Sequence, residues 1–283
     1  MILTTLSQFT TAVPTAVSME NFDDVKPYVE SAELWIKTHV LGKTLYDAIV
    51  ASIESSAGLV DEDILKLCLN VIANHAYWDA IPFLDLVHTN QGFAVISANN
   101  KLPASKERVE RLREQCLIRR DNEVENLIDY LEDTVTYHDD WKGSSAYSIL
   151  SDCLIQTARE LSNYAEWTGT RKDFLKLRPR LIQETMTMLE PVFSKDYIEE
   201  LIEKQRDDEL SGDDLRVALL MKQSLGALVV DRREVAINIA ADALRYIDNN
   251  TASFPTYLAS KEYESRSTYY VNTTDDAIFS SIF

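Results

Sequence analysis

One helix-forming stretch, residues 103–133, constrains the fold of this chain more than any other. Its apolar side chains recur at spacings of three and four, which places them along one side of an α-helix. These side chains are Val109, Leu112, Cys116, Leu117, Val124, Leu127, Ile128 and Leu131. Pro103 disfavours continuation of a preceding helix, and Ser105 suits an N-terminal cap. Roughly 28 helical residues would span about 42 Å, so the neighbouring elements are expected to pack along this helix.

The charges along this stretch follow an unusual order, with basic residues first and acidic residues second. The basic residues are Lys106, Arg108, Arg111, Arg113, Arg119 and Arg120, and the acidic ones are Glu123, Glu125, Asp129, Glu132 and Asp133. An isolated helix favours the opposite order, because its dipole attracts acids to the N-terminus. A solvated surface accounts for the pattern. The alternative is that Arg108, Arg111, Arg119 and Arg120 bind an acidic partner or a neighbouring copy of the chain.

Composition predicts an all-α protein. The 283 residues are 46% hydrophobic and include only seven glycines and seven prolines, which is typical of helices joined by short connections. The net charge of −18 argues against sequence-specific or general nucleic-acid binding, which requires an excess of Lys and Arg. No apolar run reaches the length of a membrane span. Cys68, Cys116 and Cys153 show no CxxC pairing and indicate core thiols in a reducing compartment.

The chain divides into six expected segments. Residues 1–20, rich in Thr and Ser, are expected to form an extended N-terminal arm. A helical region over 21–90 and a loop insert over 91–103 with a short strand follow. Residues 104–170 are expected to form a central αα-hairpin, whose second helix covers 144–168. A second helical region over 171–250 then leads to an extended C-terminal arm over 251–283.

The third quarter of the sequence repeats the first. Phe22, Val25, Pro27 and Val29 match Phe174, Leu177, Pro179 and Leu181, and the matches continue to Ala76 and Ala227. An offset of about 150 residues maintained over three helices predicts a duplicated three-helix unit, with the αα-hairpin between the two copies.

The C-terminal segment after Asn250 is polar but unusually rich in aromatic residues. These are Phe254, Tyr257, Tyr263, Tyr269, Tyr270, Phe279 and Phe283. A disordered segment would contain few of them, whereas Tyr and Phe on an extended segment suit docking onto another protein. Partner binding by this arm and packing of the arm against its own chain are both compatible with the sequence.

Catalytic signatures are missing from the sequence. It contains no GxSxG, P-loop, GxGxxG, HExxH or CxxC pattern, so we predict neither an enzyme nor a cofactor. His75, Asp79, Asp85 and His88 have spacings that would allow a two-histidine, two-carboxylate metal site. Pro82 lies between the two pairs, and His75 lies on an apolar stripe. A core histidine is therefore the simpler interpretation, and a metal-dependent helical enzyme is the alternative.

Residues 78–112 carry the skeleton AIPFLDLV–T–GF–V–PASKERV–RL. With a second part around FLKLRPRLIQE, this stretch resembles an uncharacterised structural-protein family of Bacteroides phages, including crAss-like phages, and prophages. The resemblance covers most of residues 20–250 and implies a virion structural protein. More weakly, the helical units resemble head–tail connector, or adaptor, proteins that form a ring below the portal.

The resemblance implies a homo-oligomeric ring, made in the bacterial cytoplasm and located in the virion at the head–tail interface. Its expected partners are the portal protein and tail or neck proteins, and DNA would pass through the ring. The alternative within the same class is another virion structural role, such as tail completion or a capsid accessory. No catalytic residue follows from the resemblance.

Overall fold

The computed structural model describes residues 1–55, 61–84, 86–89, 92–95 and 104–267. Over these residues the fold is all-α with one β-hairpin, so the predicted fold class is confirmed. The helices are α1 (Leu6–Ala12), α2 (Lys26–Ile36), α3 (Lys43–Ser55), α4 (Glu62–Leu84), α5 (Lys106–Asp133), α6 (His138–Lys142), α7 (Ser145–Leu150), α8 (Ala158–Tyr164), α9 (Arg171–Glu184), α10 (Glu190–Phe193), α11 (Lys195–Arg206), α12 (Gly212–Val229), α13 (Arg233–Asn249), α14 (Pro255–Leu258) and α15 (Lys261–Ser267).

Two π-helical segments interrupt this pattern. Lys37–Leu41 follows α2, and Thr185–Leu189 follows α9. Each is soon followed by a residue with positive φ, Gly42 at 76° and Ser194 at 66°, after which the next helix begins. Short 3-10 helices lie at Pro14–Ala16, Phe22–Asp24, Val135–Tyr137 and Thr251–Ser253.

The chain forms two compact units. The first comprises Met1–Asp152, Gln156–Ser162 and Thr168–Leu177, and the second comprises Cys153–Ile155, Asn163–Trp167 and Arg178–Phe283. Helix α9 therefore begins in the first unit and ends in the second. In the first unit, α4 packs between α2 and α5, and α1 lies against α4. In the second unit, α12 and α13 form the most extensive helix pair.

The predicted long helix is confirmed. It runs over Lys106–Asp133, and Ser105 precedes it in an extended conformation. Cys116, Val124, Leu127, Ile128 and Leu131 are buried, as the spacing predicts. The prediction of a partner helix over 144–168 is wrong, because α7 ends at Leu150 and α8 begins only at Ala158. The residues between them are almost all buried without forming a helix, so the predicted αα-hairpin of two long helices does not exist.

The prediction of an extended N-terminal arm is also wrong. Residues 6–12 form α1, whose N-cap Thr5 accepts a hydrogen bond from the Gln8 N–H in a capping box. Ile2, Leu3 and Phe9 are fully buried. Because these three side chains enter the core, the Ser/Thr-rich start of the chain is part of the first unit.

The predicted C-terminal arm is folded over its first half. Residues 251–267 contain a 3-10 helix, α14 and α15, and residues 268–283 lie outside the described part of the chain. Phe254 and Tyr257 are buried against α11, where both rings contact Tyr197. Phe254 and Tyr257, predicted to bind a partner, therefore complete the second unit's own core.

The insert between α4 and α5 contains a β-hairpin of β1 (Leu86–Thr89) and β2 (Gly92–Val95). The strands are antiparallel, with Leu86 opposite Val95 and Thr89 opposite Gly92. Strand β2 lies within the insert where the sequence predicted a short strand, and residues 96–103 lie outside the described residues.

Candidate interaction surfaces

The front of α5 presents part of the predicted basic surface. Arg108 and Arg111 are exposed, and neither forms an ion pair within the described part of the chain. They lie in the first two turns of a 28-residue helix, where the helix dipole adds to their positive charge. These two arginines therefore remain available to an acidic partner.

The other two predicted arginines have different environments. Arg119 is exposed beside a cleft of about 800 Å³ between α1, α4 and α5, whose mostly apolar lining also includes Lys66, Asn74 and Glu123. Arg120 is buried, so its assignment to partner binding is wrong. Its guanidinium pairs with the Asp121 carboxylate and stacks over the Trp35 ring, 4.7 Å from the ring centroid. Burial of a charge requires such a partner, and Arg120 therefore belongs to the core of the first unit.

His75 lies next to this arginine, in an aromatic environment. Its ring centroid is 4.7 Å from that of Trp35 and 5.7 Å from that of Trp78. Burial, followed by the positive charge of Arg120, lowers the pKa of His75 to about 4. Within the described residues, no group of three or more His, Cys, Asp or Glu side chains is placed to hold a metal. The side chains of Asp85 and His88 lie outside the described residues, so their part in the alternative metal site stays a prediction.

The predicted aromatic docking segment is largely internal. Phe254 and Tyr257 are buried, and the Tyr257 hydroxyl donates a hydrogen bond to the Val192 carbonyl oxygen at 3.1 Å. Tyr263 is half-buried, with its ring 5.6 Å from that of Tyr257. Assignment of Phe254 and Tyr257 to partner binding is therefore wrong. Tyr269, Tyr270, Phe279 and Phe283 lie outside the described residues, and their role stays a prediction.

The second unit carries an apolar groove that was not predicted from the sequence. It lies between α13 and the segment around the second π-helix, with a volume of about 190 Å³. Its lining is almost entirely apolar and includes Met188, Val192, Ile237, Ala240, Ala241 and Leu244. Ile237 is 49% exposed, and Val235 beside it is 47% exposed. The sequence does contain a sign of this groove, because Val235 and Ile237 interrupt the polar face of the amphipathic helix α13.

Within the described chain, no helix is both long and apolar enough to cross a membrane.

A family model matches part of the chain. Residues 17–149, just under half of the chain, match the model of a family described as a family of unknown function (DUF6712). This range lies within the continuous part of the first unit, Met1–Asp152. No curated protein and no solved structure matches the chain. The family match therefore assigns no activity, and the groove in the second unit lies outside the matched region.

Proposed function

We propose that this protein is a virion structural protein of a tailed phage, a head–tail connector that forms a ring below the portal. The observation that carries the proposal is the resemblance of residues 78–112, together with FLKLRPRLIQE, to structural proteins of Bacteroides phages and prophages. The proposed partners are further copies of the chain, the portal protein, and tail or neck proteins.

The charge distribution supports assembly with acidic partners. The chain carries a net charge of −18, yet Arg108 and Arg111 project from the start of α5 without an ion pair among the described residues. A ring closes through heterologous contacts, in which one surface meets a different surface of the next subunit. A basic surface on an acidic chain suits such a contact, because it attracts a different part of the neighbouring subunit.

The acidity of the chain also suits a channel for DNA. A negatively charged bore repels the phosphate backbone, so DNA would pass without being held. This proposal places no sequence-specific DNA contact on the protein.

Gold-labelled antibody imaging of purified particles tests the proposed location. We expect label at the joint between head and tail, visible in particles whose neck is accessible. Label over the capsid or at the distal tail would contradict the connector proposal and support another structural role in the virion. Complete absence of the protein from purified particles, measured by mass spectrometry of the same sample, would contradict the proposal.

A further inference from the structure

Hydrogen bonds recur in pairs along the chain at two constant spacings. The Tyr130 hydroxyl donates to the Asp61 carboxylate, and the Tyr246 hydroxyl donates to the Asp213 carboxylate. Asp61 and Asp213 lie 152 positions apart, whereas Tyr130 and Tyr246 lie 116 positions apart. The spacing changes because the region containing the β-hairpin follows α4 and has no equivalent between α12 and α13.

Four further pairs of contacts obey the same two spacings. The Thr5 hydroxyl accepts from the Gln8 N–H, as the Thr157 hydroxyl accepts from the Glu160 N–H; the Thr4 N–H donates to Gln8, as the Gln156 N–H donates to Glu160. The Trp141 indole N–H donates to the Val40 carbonyl oxygen, as the Tyr257 hydroxyl donates to that of Val192. The Ser144 hydroxyl accepts from the Tyr147 N–H, as the Ser260 hydroxyl accepts from the Tyr263 N–H. On these equivalences, residues 1–152 correspond to residues 153–267, which we call the first and second repeats. Helix α5 then lies inside the first repeat, opposite α13 in the second, and not between two copies as the sequence predicted.

The start of the second repeat covers one side of α5 within the first unit. The Asp121 carboxylate accepts a hydrogen bond from the Lys172 N–H at 3.0 Å. The Glu125 carboxylate accepts from the Arg159 N–H at 3.0 Å and pairs with Arg171 at 2.7 Å. Two carboxylates one helical turn apart thus bind the first turns of α8 and α9.

The equivalent positions on α13 have a different chemistry. Ile237 and Ala241 replace Asp121 and Glu125, 116 positions later, and both line the apolar groove. At the start of the first repeat, 152 positions before Arg171, the residue is Met19. The surface of α13 and the segment that would bind it have therefore both lost the ionic groups, and an apolar contact would replace the ion pair.

One basic side chain at the groove is complementary to the N-terminal segment. Arg233 of α13 is exposed and contacts Met188 of the groove at 3.2 Å, whereas Arg245 pairs with Asp242 of the same helix at 2.8 Å. Glu20, Asp23 and Asp24 follow Met19 and are exposed. Val17, 75% exposed, adds an apolar side chain to the same segment.

We propose that the groove and outward face of α13 bind residues 7–20 of another molecule of this chain, through positions equivalent to those at which Arg159, Arg171 and Lys172 contact α5. This contact is heterologous, because the groove of one molecule meets the N-terminal segment of the next. The inference deepens the ring assembly proposed above, on which it rests, by naming the two surfaces that meet. Burial of Ile237 and Val17, together with the part of Met19 that its own unit leaves exposed, would supply the hydrophobic driving force.

Disulfide trapping between two tagged full-length chains tests this contact. One chain carries Glu20→Cys and the other Ile237→Cys, because Glu20 is equivalent to Lys172 and Ile237 to Asp121. The native Cys68, Cys116 and Cys153 are buried, which limits their reaction. A chain with Val135→Cys, at a residue that is 77% exposed, replaces the Ile237→Cys chain in the matched control.

We expect mixed disulfide dimers of Glu20→Cys with Ile237→Cys, at a yield about tenfold above the Val135→Cys control, because docking raises the effective thiol concentration. Equal yields in the two mixtures would overturn the proposal. Preferential dimers of Ile237→Cys with itself would also overturn it, since they indicate a two-fold contact between α13 faces.

Maleimide labelling of the Ile237→Cys chain as a monomer distinguishes another occupant. If the thiol is protected in the full chain and becomes reactive after removal of residues 268–283, the C-terminal segment of the same molecule occupies the groove, and the proposal is wrong. We expect equal labelling with and without those residues. If disulfide dimers form but no rings are seen, this contact is supported and the proposed ring is wrong. If rings are seen but no disulfide dimers form, only this contact is wrong.

Discussion

Glu33 shows how a single buried side chain fixes the start of the chain. Its carboxylate accepts hydrogen bonds from the Ile2 and Leu3 N–H groups at 2.7 and 2.8 Å and from the Tyr46 hydroxyl at 2.5 Å. Burial, reinforced by Glu33, raises the pKa of Tyr46 above its ordinary value. A carboxylate in the apolar stripe of α2 is visible in the sequence, but its three donors come from distant segments. The sequence therefore does not identify them.

His75 is expected to make stability depend on pH. Its folded-state pKa of about 4 lies below the ordinary value of 6.5, so the unfolded chain binds the proton more tightly. The stabilisation is present above pH 6.5 and is lost as the pH falls from 6.5 towards 4. Denaturant unfolding at several pH values should show this loss in the wild type and a smaller loss in His75→Phe.

The exposed neighbour His39 provides the control for that experiment. Its ring also stacks on Trp35, at 5.4 Å, but it lies at the surface. His39→Phe should keep most of the wild-type pH dependence between pH 6.5 and 4, because the charge of His39 is the smallest of the three causes that lower the pKa of His75. If His75→Phe and His39→Phe change the pH dependence of the unfolding free energy equally, the buried histidine is not the cause of that dependence.

Both the backbone conformation at position 42 and the neighbouring side chain of Ser144 require a glycine there. Its φ is +76°, and a Cβ at this position would overlap the side chain of Ser144. Gly212 has a φ of +56° but has open space around it, so it is the matched control. Gly212→Ala should cost about 1–2 kcal/mol of unfolding free energy from backbone strain alone. Gly42→Ala should cost clearly more, and equal losses in denaturant titrations would contradict the role of Ser144.

At the scale of elements, α5 was predictable because a regular apolar stripe over 28 residues needs only local information. The short helices were not. Helix α1 depends on burial of Phe9, and the first turn of α8 is held by the Glu125 carboxylate of α5, 34 residues away. The capping signals T-x-x-Q at Thr5 and T-x-x-E at Thr157 were readable in the sequence, and they mark the true starts of these helices.

The candidate surfaces were predictable only in part. Exposed Arg108 and Arg111 follow from their position on the polar side of α5, whereas Arg120 is buried because Asp121 and Trp35 provide its partners. The aromatic residues Phe254 and Tyr257 looked like docking groups because the ring that they pack against, Tyr197 of α11, is brought to them only by the fold.

The contact between α5 and the starts of α8 and α9 gives a prediction at this scale. Glu125→Leu removes the partner of buried Arg171 and the acceptor of the Arg159 N–H. Loss of one member of a buried ion pair typically costs about 3–5 kcal/mol, and denaturant titration should show a loss of that order. Asp129→Leu, which removes the exposed partner of Arg159, should cost about 1 kcal/mol or less. Similar losses in both variants would contradict the distinction between the two pairs.

At the scale of the whole molecule, the groove on α13 is expected to control assembly. Ile237→Glu places a charge in an apolar contact and should weaken self-association at least about tenfold, equivalent to about 1.4 kcal/mol. Ile149, 63% exposed in the first unit, is the matched control. Ile149→Glu should leave association unchanged, as measured by sedimentation of both full-length variants. Equal effects would indicate a response to surface charge in general.

The central claim is that this chain assembles head to tail into a closed ring. Light scattering of the full-length protein over a range of concentrations, with negative-stain imaging of the same sample, measures it most directly. We expect a mass that is a fixed multiple, above two, of the 32.2 kDa chain and images of rings with a central hole. A two-fold dimer, or a monomer at every concentration, would contradict the claim.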